Sequence, residues 1–154
     1  MLILYDYLMN TKKQFENIVV FSASTRTSLE AANQLGCEVA QIAKSIVFRG
    51  SKTGEPVLVI ACGDHRIDEK KVAKLVGEPV EKSNANYCRE KTGFVIGGIP
   101  PYGHSTKIQT LFDESLFQYD IIWAAAGTPN SVFQTIPSEL MEKTLATCAD
   151  VALE

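Results

Sequence analysis

Two apolar, β-branched runs stand almost end to end in this chain, QIAKSIVFRG at 41–50 and EPVLVIACG at 55–63, parted only by SKTG. Val, Ile and Phe in such density, on either side of a short polar turn that contains glycine, predict a β-hairpin. Further strand-like runs surround it: IVVF at 18–21, FVIGG at 94–98, KIQTLFDESL at 107–116, YDIIWAAAG at 119–127 and SVFQTI at 131–136. They come in consecutive groups rather than one per helix. That grouping predicts an α+β protein with a mixed, mostly antiparallel sheet of six to seven strands surrounded by helices, and not a series of βαβ units.

The helices announce themselves by their ends. TSLEAANQLG at 27–36 places Thr27 three residues before Glu30 and closes on Gly36, the spacing of a capping box followed by a glycine stop. DEKKVAKLVGE at 68–78 starts on Asp68, turns Val72, Leu75 and Val76 to one side and stops at Gly77. NANYCREKTG at 84–93 also ends on glycine, and the segment from Pro137 and Ser138 carries acidic residues in its first turn. Residues 5–17 have the pattern of a short amphipathic helix, with Tyr5, Leu8, Met9 and Phe15 on its apolar side.

At 154 residues and 45% apolar content, the chain is expected to form one compact domain over residues 1–154. No apolar run approaches the ~20 residues of a membrane span. MLILYDYLMN lacks a basic leader and reaches Asp6 too early for a secretory signal, so a cytoplasmic protein with no membrane partner is expected. Cys37, Cys62, Cys88 and Cys148 form no CxxC pair and read as reduced cysteines packed as small hydrophobes. The net charge of −3 argues against a protein that coats DNA or RNA electrostatically. The balance is uneven, +3 over residues 1–107 (14 basic, 11 acidic) and −6 over 108–154 (one basic, seven acidic), so contact with a few phosphates stays open.

Three features are left once the scaffold is assigned. Lys44 lies among Ile42, Ala43, Ile46 and Val47, where it either snorkels to water or serves a partly buried site. GGIPPYGH at 97–104 is over-specified for a turn. Gly97 and Gly98 let backbone approach a ligand, with N–H groups free to donate to a carbonyl or oxyanion. Pro100 and Pro101 stiffen the second half of the loop and bias Ile99 to an extended conformation. Gly103 leads to His104, which can exchange a proton near neutrality. The plain alternative is a tight crossing between strands with a surface histidine. The third feature is AAAGTPNS at 124–131, where Gly127 and Thr128 form either a pocket wall or a hairpin turn. His65 reads as a solvated loop residue, and no local spacing supports a metal site from Asp64, His65 and His104.

Taken in order, these elements resemble the YbaK/prolyl-tRNA synthetase-associated editing-domain family over roughly residues 20–145. The capped helix precedes QIAKSIVF with its strand lysine; VLVIACGDHRIDEKKVAKLVG, a short helix, the G-x-x-x-P loop Gly97–Pro101 and IWAAAGTPNS come after it. The resemblance implies a compact domain around a barrel-like sheet and an aminoacyl-tRNA deacylase acting in trans on mischarged tRNA, without metal or cofactor. Lys44 corresponds to the family's essential lysine. Gly97, Gly98, Ile99, Pro100 and Pro101 form its substrate-holding loop, and Gly103, His104, Gly127 and Thr128 are candidate substrate contacts. The implied partner is the aminoacyl-tRNA acceptor end, with a synthetase or elongation factor in a transient complex, and neither DNA nor membrane. A non-catalytic module of the same fold that binds tRNA ends or a protein is the alternative. Cysteine, alanine, serine and threonine all lie within the family's reach as the amino acid.

Overall fold

A computed structural model describes residues 15–22 and 27–154. The helix expected over 5–17 lies outside the described residues, apart from its last three positions. The anticipated hairpin is the centre of the sheet: β2 (Ile42–Gly50) pairs antiparallel with β3 (Pro56–Cys62) in a register running from Ala43 opposite Cys62 to Arg49 opposite Pro56.

All seven residues of β3 are buried, as a strand covered on both faces requires. Leu58, Ile60 and Cys62 enter one core with Ala43 and Val47, whereas Val57, Val59 and Ala61 enter a second with Phe48 and Val72. The period-2 alternation of strands accounts for this division residue by residue.

On one side of the hairpin, β3 runs parallel to β5 (Gln109–Asp113), which runs parallel to β8 (Thr147–Ala149). On the other, β2 divides its edge between two strands. Its start pairs parallel with β6 (Ile122–Ala125) and its end antiparallel with β4 (Val80–Lys82). Antiparallel pairings of β6 with β7 (Ser131–Thr135) and of β7 with β1 (Ile18–Val20) bring the sheet to eight strands among the described residues. The mixed, mainly antiparallel sheet is therefore as expected, with four antiparallel pairings against three parallel.

Two strand expectations need correction. FVIGG forms no strand: Val95 and Ile96 are exposed, and Gly98 N–H turns back to Val95 O at 3.0 Å. Conversely, β4 and β8 are three-residue strands with no apolar alternation to reveal them.

The helices agree with their end signals. In α1 (Ser28–Leu35), Thr27 Oγ1 accepts from Glu30 N–H, and Gly36 closes the helix in the left-handed region. Asp68 caps α2 (Glu69–Val76), Asn84 caps α3 (Ala85–Thr92), and Pro137 opens α4 (Pro137–Thr144). No helix among the described residues is long and apolar enough to cross a membrane. All four cysteines are free; Cys62 and Cys88 pack as small hydrophobes, but Cys148 is exposed on β8.

Candidate active site

The divided edge of β2 creates the site. β6 covers residues 42–43 and β4 covers 48–50, so residues 44–47 have no strand partner on that side among the described residues. Ser83 Oγ donates to Val47 O at 2.7 Å, which satisfies one backbone group of the gap. Over the rest opens a cavity of about 120 Å³, whose lining includes Lys44, Ser45, Gly97, Ile99 and the N-terminal end of α1 at Thr27 and Ser28.

Lys44 is half-buried on the Ile46–Phe48 side of β2. Its ammonium donates to His65 O and reaches toward Gly63 O at 3.5 Å. An ammonium has three N–H donors; the third has no acceptor among the described residues. Burial pushes the Lys44 pKa below its ordinary value, opposed by the charges of Asp64 and Asp113. Snorkelling into open water is therefore not its arrangement. Gly63 must be glycine for this loop to close: a Cβ there would stand 2.4 Å from Val39 O and 2.8 Å from Ser28 Cβ.

Alternation turns Ser45 the other way, with Ala43 and Val47. Its hydroxyl is buried and has no hydrogen-bond partner among the described residues. An unpaired buried hydroxyl is costly, and Ser45 is among the residues that line the cavity. Sequence reading passes over Ser45, although strand alternation puts it on the face opposite Lys44.

The two glycine loops meet. Gly98 packs so tightly on the second loop that a Cβ would lie 2.6 Å from the carbonyl carbon of Thr128. Gly97 has φ +92°, a conformation glycine adopts freely, and Gly127 has φ +105°. Thr128 Oγ1 bonds Asn130 Oδ1 and Ser131 Oγ at 2.9 and 2.6 Å, fixing the second loop, and Ser131 in turn lines the cavity. The expectation of free N–H donors at both glycines is corrected at Gly98, whose N–H is taken by Val95 O. Among the described residues, Gly97 N–H and Ile99 N–H have no acceptor.

The later part of GGIPPYGH faces elsewhere. His104 Nε2 donates to Pro100 O at 2.6 Å, and its ring meets Phe94 edge-on. Pro101, Gly103 and His104 line a separate, wider groove with residues 105–110 and the end of α4. Desolvation lowers the His104 pKa, with the Pro100 carbonyl pulling the other way.

His65 is not the solvated residue expected. Its Nδ1 lies 2.8 Å from Oδ2 of Asp113, a carboxylate only 1% exposed. Cys62 Sγ completes a cluster of possible metal donors with these two. Two of the three donors already satisfy one another, His65 Nδ1 and Asp113 Oδ2 being hydrogen-bonded. The Cys62 thiol is pushed up to about 12, by burial first and then by Asp113 and Asp64, and the Lys44 ammonium stands alongside. His104, in its own groove, takes no part.

Residues 22–143 match the family described as aminoacyl-tRNA editing domain. The chain belongs to this family. Among its relatives is YwhH of Bacillus subtilis strain 168, an uncharacterised protein 33% identical over 126 residues, which span 82% of this chain and 80% of YwhH. EbsC of Enterococcus faecalis, whose name offers it as a Cys-tRNA(Pro)/Cys-tRNA(Cys) deacylase, is 31% identical over 121 residues, 78% of this chain and 73% of EbsC. Among solved structures, a candidate trans-editing enzyme for prolyl tRNA synthetase superposes with a TM-score of 0.84 at 44% identity, covering 89% of this chain and 86% of that one. The editing-domain fold thus extends over both glycine loops and the β2 gap.

Proposed function

We propose that this protein is an aminoacyl-tRNA deacylase that edits mischarged tRNA in trans, as a single domain in the cytoplasm. The observation that carries the reading is a glycine loop with unused N–H groups on one small cavity that the half-buried Lys44 also lines. An aminoacyl ester is already activated, so the site needs no strong nucleophile. Water adds to the ester carbonyl, the carbon–oxygen bond to the ribose breaks, and the ribose 3′-oxygen leaves with a proton.

Gly97 N–H and Ile99 N–H are the donors for the oxyanion of the tetrahedral intermediate. Losing one such donor costs roughly 3 kcal/mol of transition-state stabilisation. The third N–H of Lys44 binds the terminal phosphate or the ribose end, and the vicinal 2′-hydroxyl orients the water. Ser45 Oγ offers a buried partner to a polar atom of the aminoacyl group. Contacts confined to the acceptor end suit an acidic protein. Delivery by a synthetase or elongation factor belongs to the same reading.

The non-catalytic alternative draws on one observation, the consumption of Gly98 N–H by Val95. A deacylation assay in EDTA with Ala-, Cys-, Ser- and Thr-charged tRNA(Pro) separates the two. Turnover of at least one of these supports the deacylase. Tight tRNA binding without turnover supports the binding module.

A further inference from the structure

We propose that Asp113 is a positioning residue for Lys44, acting through His65 and the backbone turn 62–65. The inference rests on the proposed role of Lys44 and assigns a function to the carboxylate buried behind it. Asp113 ends β5, 51 residues from Cys62 and 48 from His65 in sequence.

A buried carboxylate is tolerated only when its lone pairs are met. Oδ1 accepts from Ser115 N–H at 2.9 Å, which caps the short 3₁₀ helix Glu114–Gln118. An asparagine or serine would cap as well. Oδ2 does something a cap does not require: it accepts from Cys62 N–H at 3.1 Å and lies 2.8 Å from His65 Nδ1. It therefore grips both ends of a turn that His65 N–H to Cys62 O closes at 3.0 Å.

The outward products of that turn are the carbonyls of Gly63 and His65, the two acceptors of the Lys44 ammonium. Gly63 is set by its contacts with Val39 and Ser28. His65 is set by its ring, and the ring by Asp113. The carboxylate also opposes the loss of charge that burial imposes on Lys44, together with Asp64. On Lys44's own side of the sheet, Arg66, Glu69 and Lys82 line the adjoining groove. Asp113 thus holds the acceptors of Lys44 in place and supports its charge without touching substrate.

The test uses Asp113→Asn in the whole protein, with three readouts. Titration of 13C-labelled lysine by NMR, without substrate, tracks the Lys44 ammonium; its midpoint is expected to fall in the variant. In deacylation, kcat is expected to drop about tenfold or more and KM to rise, because the displaced ammonium is the group that anchors the substrate end. The alkaline limb of the kcat profile moves to lower pH. Added to Lys44→Ala, Asp113→Asn should leave the residual rate unchanged, since residues acting through one another are not additive.

A folded Asp113→Asn with the wild-type Lys44 midpoint and kcat overturns the inference, as does a further loss of rate in the Lys44→Ala background. If Asp113→Asn does not fold, His65→Gln, which leaves the carboxylate its two backbone donors, decides on the same readouts. Full activity in Lys44→Ala would instead remove the proposed role of Lys44, and the NMR midpoint would still decide whether Asp113 governs that ammonium.

Discussion

Gly98 and Thr128 touch through their backbones: the missing Cβ of Gly98 would stand 2.6 Å from the carbonyl carbon of Thr128 and 2.8 Å from its Cα. This contact locks the Gly97–Pro101 loop to the loop after β6 and holds Gly97 and Ile99 over the gap in β2. Because the obstructing atoms are main chain, no side-chain rotation can make room. Gly98→Ala is expected to lose about 1–3 kcal/mol of stability, the usual cost of overpacking. The Cβ of Gly97→Ala would meet only Pro129 Cβ at 4.0 Å, but the variant is strained by its φ of +92°, so its loss, from backbone strain alone, should be the smaller at about 1 kcal/mol. Urea unfolding of both variants checks the order.

Ser45 should show stability and function in opposition. Its buried hydroxyl has no partner among the described residues, so Ser45→Ala removes an unmet desolvation cost and should gain about 1 kcal/mol in unfolding free energy. The same change removes the proposed contact for substrate, and kcat/KM should fall several-fold, as loss of one hydrogen bond implies. Thermal denaturation with steady-state kinetics reads both. Loss of stability without loss of activity would reassign the hydroxyl to the scaffold.

His104 provides the acid dependence. Desolvation holds its folded pKa below the ordinary 6.5, against the pull of Pro100 O. The unfolded chain therefore takes up a proton first as pH falls, and stability declines from about 6.5 down through the folded value. The neutral ring contributes its stability fully above that window. Denaturant unfolding between pH 7.5 and about 5 should show a shallower acid decline for His104→Gln than for wild type.

Much of the frame is legible in the sequence because it rests on local chemistry. The β2–β3 hairpin comes from β-branched runs around a short turn, and α1, α2 and α3 from a cap at one end and a left-handed glycine at the other. FVIGG misleads because its apolar character suits a loop edge as well as a strand; the φ of +92° at Gly97 takes it away from sheet geometry. β4 and β8 are too short for a period to register. At the site, Lys44 and the glycine loop stand out as unusual residues in plain surroundings. The meeting of Gly98 with Thr128, and of His65 with Asp113, 48 positions on, are products of sheet topology that no local pattern encodes. His104 groups with the loop by adjacency in sequence, yet the stiff Pro100–Pro101 step carries it into another groove.

The central claim is that Lys44 at the gap in β2 serves catalysis and not packing. It is tested most directly by deacylation of Ala-, Cys-, Ser- and Thr-charged tRNA(Pro) by wild type and Lys44→Ala, with circular dichroism establishing that both are folded. The account predicts hydrolysis by wild type and a loss of at least about a hundredfold in the variant, the scale of a misplaced or missing catalytic group. Equal rates in two folded proteins would contradict it.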